Sequence, residues 1–192
     1  MGHRVRVVNQ QHATASVSGS LPRNPDTATV TIDFKMKFES MYARETTVNH
    51  YGKRGMSWHG CHISYVTTDQ VMAENGEWTT KENKINVYLD QIIDGTNSQS
   101  AATVMSMVEA AVDFIHTNLP HVKRIILQSD NAKCYQNNEL RLFIGILNLT
   151  FPVKIVRYLF SETQDGKGPC MNCLLFVIVV IRWLFGLSLI HI

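Results

Sequence analysis

Arg124-Ile-Ile-Leu-Gln-Ser-Asp-Asn-Ala-Lys-Cys-Tyr135 is an apolar run that stops on a carboxylate. Its opening residues have the length and composition of a buried strand, and Ser129-Asp130-Asn131 is where such a strand gives way to a polar loop. A second carboxylate, Asp33, interrupts another strand pattern from Ala28 to Phe38. There Val30, Ile32, Phe34, Met36 and Phe38 alternate with Thr29, Thr31, Asp33, Lys35 and Lys37. Alternation of period two places the two sets on opposite faces of a sheet. Asp33 therefore stands on a polar face, followed at i+2 and i+4 by lysines able to neutralise it or to reach an anion. Taken alone, this strand reads first as an ordinary half-exposed strand carrying a cross-row ion pair.

Working outward, a second strand fits Trp58 to Thr67 and a third fits Lys84 to Ile92, with a turn around Gly76. Asp90 and Asp94 flank the third strand, where they are expected to solvate its end. A long helix follows, with Asn97-Ser98 as the expected cap, Pro120 as the stop, and Val104, Val108, Ala111 and Ile115 along one face. After the Arg124 to Gln128 strand, a shorter helix runs from Asn138 with Leu140, Ile144 and Leu147 in period, and Val153 to Phe160 forms a fifth strand. The order β-β-β-α-β-α-β, a meander followed by two right-handed crossovers, is that of an α/β mixed sheet of the ribonuclease-H-like kind. In that architecture the first strand is central and the fourth lies beside it, which brings Asp33 and Asp130 together. Two acids on neighbouring strands suit the binding of a divalent metal against a phosphodiester.

Composition agrees with one domain. The 192 residues, 45% of them apolar, suffice for a real core, and 18% charged residues with mean hydropathy near zero describe a globular chain. The net charge of +2 argues against a strongly basic coat, yet the charge is uneven. Up to Gly60, eight cations (Arg4, Arg6, Arg23, Lys35, Lys37, Arg44, Lys53, Arg54) face four acids (Asp26, Asp33, Glu39, Glu45), an excess of four. An anion-binding surface is expected there. Residues 1–26, polar and marked by Ser16-Val-Ser-Gly-Ser20 and Pro22 to Pro25, read as a leader or linker.

Cys61, Cys134, Cys170 and Cys173 follow no signal-peptide core, so free thiols and a nuclear or cytoplasmic, not secreted, location are expected. Cys170-Met-Asn-Cys173 is half a zinc spacing with no second pair, and a strand would split His59 and Cys61 from His62. From Leu174 to Ile192 the chain is almost wholly apolar, near the length of a membrane span but interrupted by Arg182. Its last six residues, Leu-Ser-Leu-Ile-His-Ile192, are compatible with translation of CTG TCT CTT ATA CAC ATC, a string similar to the mosaic end of transposon-based sequencing adapters. Cys170-Met171-Asn172 is compatible with T followed by GTATGAA, which resembles a splice donor. The expectation is that the coding exon ends at Cys170, that 171–192 are intron read-through closed by adapter, and that this tail carries no function.

Four blocks carry a more specific resemblance: Ile32-Asp-Phe-Lys-Met-Lys-Phe38, Tyr51-Gly-Lys-Arg-Gly-Met-Ser-Trp-His59, Ser129-Asp-Asn-Ala-Lys-Cys-Tyr135 and Phe160-Ser-Glu-Thr-Gln-Asp-Gly-Lys-Gly-Pro-Cys170. Together they resemble a family of animal transposon-derived proteins, often linked to Cys2His2 zinc fingers, with a DDE-type ribonuclease-H-like core. The resemblance spans residues 27–170 and implies a core truncated at its C-terminal side: in the family an Asp that begins a helix follows the corresponding Cys, and here Met171 stands in its place. It implies that Asp33 and Asp130 bind Mg²⁺ or Mn²⁺ and activate water or a DNA 3′-hydroxyl for in-line attack. Glu162 and Asp165 are the candidates for a third acid. Asn131 would assist a ligand or phosphate, Lys167 between two glycines would meet phosphate, and Lys35, Lys37, Lys53 and Arg54 would line the DNA. His59 is a candidate general base or base-stacking neighbour, against the simpler reading of a structural histidine near the sheet edge.

Three functions follow in order: a metal-dependent DNA strand-cleaving or strand-transferring core, a catalytically silent nucleic-acid-binding or interaction module on the same fold, and a small protein anchored by its C-terminal tail. DNA is the expected partner and a second copy a candidate one. No small-molecule cofactor is expected, and a membrane only if the tail is genuine.

Overall fold

The computed structural model describes residues 2–35, 46, 55–73, 77–93, 99–161 and 177–181. Helix α1 (Gly2–Ser20) leads through a 3-10 turn (Leu21–Arg23) into β1 (Thr27–Phe34). Long strands β2 (Ser57–Met72) and β3 (Trp78–Ile93) follow, then α2 (Ala101–Asn118), β4 (Arg124–Asp130), α3 (Asn138–Thr150), β5 (Lys154–Ser161) and β6 (Val177–Ile181). The strands form one sheet in the order β5-β4-β1-β2-β3-β6. β1 is antiparallel to β2 and β2 to β3, whereas β4 runs parallel to both β1 and β5. An antiparallel meander joined by helical crossovers to two parallel strands, with β1 in the middle, is the ribonuclease-H-like arrangement expected from the sequence.

Alternation along β1 decides which face is which. Ala28, Val30 and Ile32 are buried against α2 and α3, together with Cys61 and Ile63 of β2, Leu89 of β3 and Ile125 and Leu127 of β4. The α2 residues of this core include Val104, Val108, Ala111 and Ile115, the stripe read from periodicity. Asp33, Gly60, Asp90 and Asp130 belong to the other face. His59 and Cys61 fall on the helix-covered face and His62 on the opposite one, where it stacks on Tyr88 at 4.6 Å. Cys134 is a free thiol, and Cys61 is buried.

Several boundaries differ from expectation. The cap of α2 is Ser100, whose side chain accepts from Thr103 N–H, and not Asn97-Ser98. Strands β2 and β3 run beyond β1 as a two-stranded ribbon closed by Ala73 N–H donating to Glu77 O at 2.8 Å, because cross-strand pairing continues after the core ends. Residues 2–20, read as leader or linker, are helical. The helix is tied to the fold by buried Val17 and Leu21 and by Lys84 Nζ donating to Ser18 Oγ at 3.1 Å, contacts that outweigh its weak local pattern. Within the tail, Val177–Ile181 pair in parallel with β3. Among the described residues no helix is long and apolar enough to cross a membrane.

Asn137 starts α3 by accepting from Leu140 N–H at 2.7 Å, and its amide donates to Cys134 O at 2.7 Å. Asn137→Ala is expected to cost about 1 kcal/mol in urea denaturation, the usual value of an N-cap. On the solvent side of α3, Leu149 is 87% exposed. Leu149→Lys should shift stability by no more than about 0.5 kcal/mol in the same measurement.

Candidate active site

The carboxyl ends of the central parallel strands build the site. Ile32 is in register with Ser129, so the next residues, Asp33 and Asp130, stand side by side on the face away from α2 and α3. Both are half-buried. Burial, and then the charge of Asp130, push the Asp33 carboxyl up to about 6, while a hydrogen bond from the Phe34 backbone opposes the rise. Asp130 Oδ1 accepts Ala132 N–H at 3.1 Å, which bends the chain off the strand into its loop and leaves Asn131 exposed. Asp130 is paired across β4 and β5 with Ser161, whose hydroxyl donates to Ser129 O at 3.1 Å. The end of β5 thus flanks the pair, and Glu162 is the next residue in sequence.

Beneath the carboxylates the interior is aromatic. Tyr135 is buried, its ring centroid 5.8 Å from Phe34 and 6.1 Å from His59, and burial with the nearby Asp33 charge raises its hydroxyl pKa. Cys134 is likewise pushed up, by burial and by Asp130. Ser129 Oγ and Tyr158 Oη lie 3.0 Å apart, and burial pushes Tyr158 up to about 12. None of these groups offers a thiolate or phenolate at neutral pH.

His59 is a structural residue, but at the middle of the sheet and not its edge. It is fully buried opposite Phe34. Gln91 Nε2 donates to Met107 O at 2.9 Å, so Gln91 Oε1 is the acceptor for His59 Nδ1–H at 2.8 Å. Burial holds the imidazole neutral, pushed down to about 4. Nε2 is left as an acceptor that has no partner among the described residues, with no exposure from which to serve as a general base.

Lys35 and Asp90 depart furthest from expectation. Lys35 Nζ lies 2.5 Å from Asp90 Oδ1 and 4.9 Å from the Trp58 ring. Asp90 sits within β3, 2% exposed, where it solvates no strand end. Register explains the pairing: Asp33, Gly60 and Asp90 are consecutive across β1, β2 and β3. The lysine crosses β2 where Gly60 has no side chain, and a Cβ there would approach Lys35 Cε to 2.7 Å. Glycine inside the strand Trp58-His-Gly-Cys-His62 was the signal for such a close approach.

Lys37, Lys53, Arg54, Glu162, Asp165 and Lys167, with Asp94, Cys170 and Cys173, lie outside the described residues. Among the described residues no group of three or more His, Cys, Asp or Glu converges as a metal cage. The two carboxylates are nonetheless hard oxygen donors brought together at some electrostatic cost, a donor set that fits Mg²⁺ or Mn²⁺, ions held by one or two carboxylates with substrate phosphates completing the shell.

Over residues 10–173 the chain matches the model of a family described as "Domain of unknown function (DUF8701)". The chain belongs to this family. No curated protein matches it. Among solved structures it is similar to the "Mos1 transposase paired-end complex with left transposon end", at a TM-score of 0.36 and 13% identity over 83% of this chain and 41% of that one. It is also similar to the Mos1 strand transfer complex, at 0.33 and 14% over 82% and 39%. The MID-PIWI domains of the N. crassa QDE-2 AGO give 0.32 and 9% over 81% and 34%. The chain spans about two-fifths of the Mos1 chains, and at these values the fold assignment rests on strand order and direction alone.

Proposed function

We propose that this chain is the ribonuclease-H-like core of a transposase-derived protein, in which Asp33 and Asp130 hold Mg²⁺ or Mn²⁺ for cleavage or transfer of a DNA strand. The observation that carries the reading is the side-by-side placement of two half-buried acids at the ends of parallel β1 and β4, with Asp33 raised by burial and by its neighbour. When bound, such an ion acidifies water or a 3′-hydroxyl and neutralises charge on the phosphoryl oxygens. The chain's own part is to fix the two carboxylates on rigid strands and to exclude water from beneath them with Phe34 and Tyr135. Glu162 or Asp165, following Ser161, supplies the third acid. Exposed Asn131 orients a phosphate, and Lys37, Lys53, Arg54 and Lys167 track the DNA backbone.

Incubation with labelled duplex DNA and Mn²⁺ tests this directly. Nicking that EDTA stops is the expected result. Salt-dependent binding without nicking would replace the enzyme by a nucleic-acid-binding module, and neither binding nor nicking at low salt would remove both.

A further inference from the structure

We propose that Asp90 is a positioning residue of the carboxylate pair: it holds the Lys35 ammonium across β2, over Gly60, and so keeps the pair open to a divalent cation. The inference rests on the reading of Asp33 and Asp130 as cation ligands. Lys35 follows Asp33 by two residues, and its backbone N–H donates to Trp58 O at 2.8 Å, so the strand pairing of β1 continues through it. Residues so spaced lie on one face about 7 Å apart, within reach of a lysine side chain. An ammonium folded back on Asp33 would be an internal counter-ion, competing with any metal and lowering the carboxyl pKa. The Lys35 ammonium lies instead 2.5 Å from Asp90 Oδ1.

Asp90 accounts for the difference. Its side chain is 3% exposed against 19% for Lys35, and Oδ2 has no hydrogen-bond partner among the described residues. A buried carboxylate with one oxygen unsatisfied is a poor way to stabilise a sheet, since well-packed apolar residues commonly do better. Two further features restrain the lysine on this path: the gap at Gly60 and the Trp58 ring beneath the ammonium. Strand register, a missing side chain, a cation–π contact and a buried acid all serve one placement of one charge, away from the pair.

Mn²⁺ binding to the full chain, followed by the electron paramagnetic resonance signal of the free ion, tests the proposal without relying on turnover. Asp90→Asn is expected to weaken Mn²⁺ binding about 10- to 100-fold, as loss of an outer-shell partner does, and adding Lys35→Gln should restore it. Gly60→Ala keeps both charges and obstructs only the lysine's path; it should weaken binding in the same direction and be rescued by Lys35→Gln. It carries the test if Asp90→Asn does not fold. Wild-type affinity in folded Asp90→Asn or Gly60→Ala, or failure of Lys35→Gln to rescue, overturns the proposal. A wild-type chain that binds no Mn²⁺, or binds it as well after Asp33→Asn, overturns the cation reading itself and the inference with it.

Discussion

Asp33→Asn and Asp130→Asn should each reduce Mn²⁺-dependent nicking of duplex DNA by about 10³-fold, the scale of the several kcal/mol that a bound metal contributes to a phosphoryl transition state. Both substitutions are isosteric and leave the fold in place. After Asp130→Asn the new amide oxygen can still accept Ala132 N–H, so the turn that Asp130 makes at 3.1 Å survives. Asp33→Asn removes a charge from a half-buried site without freeing the neighbouring lysine, which is held by Asp90. Nicking by each variant, beside its far-ultraviolet circular dichroism and urea midpoint, separates lost chemistry from lost structure. Unchanged nicking in either folded variant would sink the proposed role of the pair.

Asp33→Asn should also make the chain more stable at pH 7.5, which is not the usual effect of altering a half-buried residue. The folded protein binds a proton at Asp33 more tightly than the unfolded chain, its carboxyl being raised to about 6 from 3.8. The stability this group contributes is complete below about pH 4 and lost as the pH rises through 6. Its full size would be about 3 kcal/mol, and solvent screening of a half-buried group reduces the expected gain on replacement to about 1–2 kcal/mol. His59 acts in the opposite sense. Its imidazole is pushed down to about 4 in the fold, so its stabilising contribution is present above about 6.5 and lost as the pH falls toward 4. The two oppose one another across this window in the wild type. Asp33→Asn removes one of them, and its stability should fall with acidification while the wild type stays flatter. Urea denaturation of both proteins at pH 4.5 and 7.5 measures the difference; equal stability at both values, or a loss at pH 7.5, would refute the assignment of strain to Asp33. A stabilising change at a residue needed for activity is the ordinary compromise of a functional site.

Strands β1, β4 and β5 and helices α2 and α3 were legible because each buries one face, and burial imposes a period on the sequence. The Ala28 to Ile32 alternation and the Val104 to Ile115 stripe are direct imprints of the core between sheet and helices. The long ends of β2 and β3 were not legible, since residues 68–72 and 78–83 extend the pairing over no core and carry no such imprint. Helix α1 was missed for the same reason, its attachment coming from a few residues such as Val17 and Leu21.

By itself the sequence determined the order of the five core strands and their two helices, and with it that Asp33 and Asp130 lie on neighbouring strands, because hydrophobic periodicity and chain connectivity are local properties. Only the tertiary structure decided what those acids meet. The destination of Lys35 depends on a residue 55 positions away and on the absence of a side chain at Gly60 between them. Likewise, a buried Gln91 that turns its amide toward Met107 O sets the tautomer of His59. Register, burial and charge compensation are relations between distant segments, and they exist only once the sheet has formed.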